Sequence, residues 1–312
     1  MKPAGKHFKQ TTVVAGVLAA MLAPCVLAHG GPYLLPTQFA ITRDYVSVQG
    51  AIGNEVFFIP QSPIRNGSFY AISPAGVRSK LDGVTTLKDY VAIEAPTVEK
   101  GTYRLTTGDD LSRTTRFALV EGSWRMVRAA NAGGPGSQAR PAQPQGEQRP
   151  QAAQAAGGAT ATPPQRPRFI EESALTPDMQ VVEVKTVNKA ETYVTKGKPN
   201  DGATKISGQG FELRPITHPN DIYVDQGFEF ELLEDGKPLP NVAVEIARAG
   251  NFYDEKKEYA ELQTDAQGRG KVKFDAPGAY ILLTNYPAPS RDRAAAPAPR
   301  SYSYSLTFEV MR

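Results

Sequence analysis

The stretch from Gly236 to Leu283 constrains this chain most. Three short runs of alternating apolar residues are separated by turn clusters there. Asp235-Gly236 opens it, Asp265-Ala266-Gln267-Gly268 divides it, and Pro277-Gly278 precedes the last run. Val242, Val244 and Ile246 recur at every second position, and Val272 and Phe274 alternate with Lys271 and Lys273. Strand side chains point to opposite faces with a period of two, whereas a helix repeats every ~3.6 residues. The stretch therefore reads as a small antiparallel β-sandwich. The chain end repeats the pattern most cleanly: Tyr302, Tyr304, Leu306, Phe308 and Val310 share one face, and Ser301, Ser303, Ser305, Thr307 and Glu309 the other.

The chain has 312 residues, room for two ordinary domains. Its start belongs to neither. Lys2, Lys6 and Lys9 precede an apolar run from Val13 to Ala23, and Val26-Leu27-Ala28 offers a cleavage site. Residues 1–28 read as a secretory signal peptide, and its short run is a poor spanning helix. Cys25 suggests a lipid anchor, but Pro24 stands where such a site needs a very small residue. Cleavage after Ala28 removes the one cysteine and three of the 35 basic residues, leaving 32 against 32 acidic ones. The basic balance thus reflects export and not nucleic-acid binding. The expected compartment is the bacterial periplasm, with no membrane-spanning segment after cleavage.

The expected domains are an N-terminal β-sandwich over residues 29–128 and a C-terminal one over residues 169–312. In the first, Asn66-Gly67 between Ile64 and Phe69 reads as a hairpin turn. Residues 129–168 are mostly Ala, Gly, Pro, Gln and Arg, with too little apolar surface to offset the entropy of ordering, and read as a disordered linker or loop. Residues 169–200 are candidates for pairing back onto the first sandwich. A Pro/Ala/Arg-rich segment at 287–300 reads as a mobile loop.

The mature chain offers no thiolate site, no G-x-S-x-G elbow, no P-loop and no complete G-x-G-x-x-G. With no nucleophile motif beside either remaining histidine, it reads as non-enzymatic. His29 has the most unusual chemistry. As the mature N-terminal residue it presents an α-amino group and an imidazole that together can chelate one ion. Such nitrogen donors suit nickel and copper, and zinc acceptably. His218 with Asp221 is the candidate second contribution, although His218-Pro219-Asn220-Asp221 is equally a turn sequence.

Ala28-His29, Tyr33-Leu34-Leu35-Pro36, Gly210-Phe211-Glu212-Leu213-Arg214-Pro215, Gly236-Lys237-Pro238-Leu239, Thr264-Asp265-Ala266-Gln267-Gly268-Arg269, Gly278-Ala279-Tyr280 and Leu306-Thr307-Phe308 occur in order. In these the chain resembles bacterial periplasmic proteins known only as a domain of unknown function, some similar to the periplasmic component of nickel/cobalt uptake transporters. Its C-terminal part resembles prealbumin-like, carboxypeptidase-regulatory-like sandwich modules. The resemblance implies two Ig-like or prealbumin-like β-sandwiches and the handling of nickel, cobalt, copper or iron for a membrane transporter or outer-membrane receptor. Within it, the N-terminal histidine carries over to His29. The alternative expectation is a metal-free envelope module that docks onto a receptor or polymer through its loops.

Overall fold

The computed structural model describes residues 31–53, 58–129, 168–250, 258–288, 290 and 292–312. The expected signal peptide, His29 and residues 130–167 lie outside them. The first segment gives β1 (Pro32–Pro36), β2 (Ala40–Ile41), β3 (Tyr45–Ile52), β4 (Ser62–Pro63), β5 (Tyr70–Ile72) and β6 (Arg78–Lys80). It continues with β7 (Gly83–Thr86), β8 (Val91–Pro96), β9 (Gly101–Thr106), β10 (Ser112–Val120) and β11 (Ser123–Arg128). Then come β12 (Phe169–Glu171), a 3-10 turn at Glu172–Ala174, and β13 (Val181–Lys196). The rest is β14 (Phe211–Pro215), β15 (Phe228–Glu234), β16 (Lys237–Pro238), β17 (Ala243–Arg248), β18 (Glu258–Gln263), β19 (Arg269–Val272), β20 (Gly278–Tyr286) and β21 (Arg300–Val310). The protein is an all-β assembly of sandwiches.

β13, with 16 residues, is the longest of these strands. On one edge its first half pairs antiparallel with β10 and its end with β9. On the other edge it pairs parallel with β21 and then with β2. One continuous sheet therefore runs β12-β11-β10-β13-β21-β20-β17-β18, with β9, β5 and β6 attached through β13. The parallel pairs depart from the all-antiparallel expectation. A parallel neighbour needs a long crossover, and β21 reaches β13 only after most of the C-terminal sandwich has been built between them.

Two smaller sheets cover this large one. β1, β3, β8 and β7 pack on β5, β9 and the end of β13, enclosing Val46, Val48, Ile93, Tyr103, Leu105 and Val194. β14, β15, β16 and β19 pack on β13, β17, β20 and β21, enclosing Phe228, Phe230, Leu232, Ile246, Tyr280 and Phe308. β13 supplies Ala190 and Val194 to the first core and Val187 and Tyr193 to the second. The even and odd faces of one strand thus seal two different sandwiches.

The alternation of β21 sends Tyr302, Tyr304, Leu306, Phe308 and Val310 into the second core. Its serine face is covered too: Ser305 is 1 % exposed and donates to the Pro32 carbonyl at 2.5 Å. A small third cluster, Tyr33, Ala51, Ala247 and Ile281, joins the first small sheet to the outer side of β17 and β20.

The expected hairpin at Asn66-Gly67 does not form. Asn66 adopts φ 60°, but β4 pairs with β3 and β5 pairs with β6 and β9, so the segment crosses between sheets. Ile64 and Phe69 are both buried in the core between those sheets, and that burial overrides the local turn preference. Gly268 does close the expected turn between β18 and β19, at φ 73°. A Cβ there would lie 2.8 Å from both the Leu232 carbonyl oxygen and the Leu239 nitrogen, so glycine is required on two counts.

Phe308 is 1 % exposed and packs on Phe228, Phe274 and Tyr280. Phe308→Ala is expected to cost about 3–5 kcal/mol. Trp124 lies on β11, which reaches the C-terminal sandwich through β10 and β13. In urea, Trp124 fluorescence and far-UV circular dichroism should therefore shift together in this variant. A tryptophan transition unmoved by Phe308→Ala would show that the sandwiches unfold independently.

Candidate functional site

Along β13 the side chains of Val187, Lys189, Glu191 and Tyr193 share one face by the strand's alternation. Val187 and Tyr193 lie in the second core. Aromatic cover continues nearby, with Phe211 5.6 Å from Tyr302 and 5.5 Å from Tyr304 between ring centroids. The cover ends where the chain enters β14. There a cleft of about 280 Å³ opens, lined by β9, β13, the turn after β9 and residues 207–212.

Glu191 sits at its base, 2 % exposed. Its Oε2 accepts from the Tyr304 hydroxyl at 2.8 Å. Its Oε1 lies 3.7 Å from Lys189 Nζ and 4.0 Å from Arg104, yet makes no hydrogen bond. Nor does Arg104 Nε, which is also buried. Burial alone would raise the Glu191 carboxyl, but the Lys189 and Arg104 charges and the Tyr304 hydroxyl outweigh it and hold it below the ordinary glutamate value. Burial drives the Tyr304 hydroxyl strongly upward, assisted by the Glu191 charge, so it stays a donor. Glu191 is a fixed anion at neutral pH and is ill suited to general acid catalysis.

A break in strand register shapes the rim. From Gly101 to Ser112 the chain advances 11 residues while its partner recedes only nine, from Lys196 to Val187. The two extra residues bulge outward at Gly108-Asp109-Asp110, where Gly108 takes φ 59°. The bulge places Asp109 3.7 Å from Lys189. Asp110 accepts from the Tyr70 hydroxyl, and the Arg78 guanidinium lies over the Tyr70 ring at 3.5 Å. Across the cleft, Glu212 is satisfied by Ser207 N at 2.7 Å, Ser207 Oγ at 3.0 Å and Gly208 N at 2.7 Å.

His218 and Asp221, two of the residues expected from sequence, sit elsewhere. His218 Nδ1 accepts from the Asn220 backbone N–H at 3.1 Å, so Nε2 carries the proton. Nε2 lies 3.1 Å from Thr102 Oγ1 and 3.3 Å from the Asn200 carbonyl. An ion on Nε2 would demand a proton on Nδ1, facing the Asn220 N–H. In this arrangement His218 ties the 218–221 turn to β9 and the 197–203 segment. Asp221 is exposed and lines a separate cleft of about 230 Å³ with Tyr223 and Glu309. His29 lies outside the described residues, and among those residues no group of three His, Cys, Asp or Glu is placed to hold an ion.

The chain enters the described structure at Gly31, beside Ser303 and Leu283. Ser303 is in register with Asn188, and Thr102 beside His218 is in register with Thr195. Those positions are seven residues apart on β13, or roughly 23 Å of strand. The 287–300 segment is tied down at two described points, Trp124 N to the Arg293 carbonyl at 2.8 Å and Lys185 N to the Pro299 carbonyl at 2.9 Å.

The sequence reading missed Arg104, Lys189 and Glu191. The signal was present in Val187-x-Lys189-x-Glu191-x-Tyr193, which puts two charges on the face of two core residues.

Among known proteins, the profile of a family described as "Domain of unknown function (DUF4198)" matches residues 26–288, and the chain belongs to that family. No curated protein matches it. Among solved structures it is similar to the D0-D1 domain of intimin, at 9 % identity and TM-score 0.19, over 89 % of this chain and 98 % of that one. It is also similar to Escherichia coli alpha-2-macroglobulin activated by porcine elastase, at 9 % identity and TM-score 0.19, over 90 % of this chain and 30 % of that one. Among the described residues, no helix is long and apolar enough to cross a membrane.

Glu191→Gln keeps the shape at the base of the cleft but strips the counter-charge from Arg104 and Lys189. It is expected to cost about 3 kcal/mol at neutral pH. Because the folded-state pKa of Glu191 lies below its ordinary 4.5, its contribution is present above that value and lost as pH falls through the folded value. Urea midpoints from pH 7 down to pH 3 should therefore decline more steeply in the wild type than in Glu191→Gln.

Proposed function

We propose that this DUF4198 chain is a non-catalytic binding protein of the bacterial periplasm, and that its ligand site is the charged cleft between the two sandwiches. The observation that carries this reading is the convergence of Arg78, Arg104, Lys189, Asp109 and Glu191 on one open cleft of about 280 Å³, with the Arg78 guanidinium forming no ion pair among the described residues. A buried charge is costly unless paired and hydrogen-bonded. Glu191 meets that cost through Arg104, Lys189 and Tyr304, and a concave space lined by so many charges is a mark of a site shaped for a ligand. The pairing supports the same reading, because β13, which holds the base, is hydrogen-bonded directly to β9, which holds the wall. This reading places capture at the junction of the sandwiches, where the sequence expectation for a metal-free module is docking through its loops.

Transition-metal delivery is a second reading, resting on His29 and the family resemblance. One feature favours it: β1 pairs with β3 along its whole length from Pro32, so an ion held just before it would have a rigid support. On this reading His29 works without His218 and Asp221, and the partner is a membrane transporter or receptor component.

Amide shifts in nuclear magnetic resonance test the first reading. A panel of free amino acids, dipeptides, small carboxylates and neutral sugars should contain a class that moves Arg104, Thr106, Gly108 and Glu191. Shifts confined to other regions, or none with any class, would remove the cleft from the account. Calorimetry with nickel or copper tests the second. Binding by protein that begins at His29 should vanish when one residue is added before it and persist in His218→Ala. Loss of binding in His218→Ala would reverse that assignment.

A further inference from the structure

We propose that the ligand of this cleft is a small zwitterion carrying a free ammonium and a free carboxylate, of the size of an amino acid or dipeptide. This inference rests on the reading of the cleft as a ligand site and adds the ligand's chemistry. The volume sets the scale. About 280 Å³ lies just under the ~300–1,000 Å³ typical of drug-sized ligands, which leaves room for one or two residues' worth of atoms.

The charges set the class. Arg78, Arg104 and Lys189 face the same space as Asp109, Asp110, Glu191 and Glu212. Several of these are already committed to the fold. Glu212 takes three hydrogen bonds from Ser207 and Gly208, and Asp110 takes the Tyr70 hydroxyl. Lys189 lies 3.7 Å from both Asp109 and Glu191 and so links wall and base.

Charged groups of both kinds are left open to the cleft. On the accepting side is the exposed Asp109 carboxylate on the bulge, with the buried Glu191 charge at the base of the same cleft. On the donating side are the partly exposed Arg104 side chain and the Arg78 guanidinium, which rests on a ring and forms no ion pair among the described residues. An anion alone would be opposed by Asp109, Asp110 and Glu191. A cation alone would be opposed by Arg78, Arg104 and Lys189. Like-charge juxtaposition of this kind is how a site rejects wrong ligands. A molecule with both charges satisfies both sets: its ammonium donates to the exposed Asp109 carboxylate above the Glu191 charge, and its carboxylate accepts from Arg78 and the Arg104 guanidinium.

The test is calorimetry on the full mature chain with alanyl-alanine, its N-acetyl derivative, its C-terminal amide, acetate and methylammonium. Alanyl-alanine is expected to bind, and each capped analogue to bind about tenfold more weakly or worse, the loss expected for one charge-assisted hydrogen bond. Two exposed rim variants identify the ends. Arg78→Ala should weaken the dipeptide and the N-acetyl form but leave the amide unchanged. Asp109→Asn should weaken the dipeptide and the amide but leave the N-acetyl form unchanged. Equal binding of capped and uncapped forms, or binding of acetate or methylammonium as tight as the dipeptide, would overturn the zwitterion. If dipeptides and amino acids fail while a sugar or carboxylate moves the cleft resonances, the cleft reading stands and this inference falls. If nothing in either panel perturbs the cleft, both fall.

Discussion

The described fold hangs on a strand that is paired along both edges and, over residues 190–195, buried on both faces. β13 hydrogen-bonds to β10 and β9 on one side and to β21 and β2 on the other. Ala190 and Val194 close one core, Val187 and Tyr193 the other. Backbone groups taken from water must find partners, and a strand in this position finds them only if both sandwiches form. The two halves are therefore one mechanical unit, although the sequence between them is interrupted by residues 129–168. The polar face of β21 shows the same coupling, since Ser305 and Thr307 are buried beneath the first small sheet.

The cleft is a consequence of that arrangement. A single sheet passes beneath two covers of limited width, and its surface between them must be polar or be covered by something else. Lys189 and Glu191 occupy that gap, and Arg104 meets them from β9. The bulge after β9 pushes Asp109 and Asp110 to the rim, where an unbroken ladder would have kept them in line with the strand. Glu191 stays ionised because two cations and a tyrosine hydroxyl outweigh its burial. The same burial leaves one of its oxygens without a hydrogen bond.

The histidine at 218 teaches a different lesson. His-Pro-Asn-Asp supports a ligand and a turn equally well, and sequence has no means of choosing. In the folded chain the Asn220 N–H fixes the ring's tautomer, and Thr102 and Asn200 take up the other nitrogen. The group that looked chemically available is in use as a joint. Conversely, Arg104 and Glu191 carry no motif and lie 87 residues apart in sequence. They meet because β9 and β13 are neighbours.

The sequence by itself determined the all-β class, because period-two alternation at Val242–Ile246 and Tyr302–Val310 and the turn at Asp265–Gly268 are local properties of the chain. It also marked the composition break at 129–168 and, in Lys189 and Glu191, two charges on a core-facing register. Only the tertiary structure decided that Asn66 would serve a crossover and not a hairpin, that β13 would belong to both sandwiches, and that a bulge would aim two aspartates at a cleft. The physical reason is range. Alternation and turn chemistry act over a few residues, whereas register between strands a hundred residues apart is set by which faces can be buried at the same time.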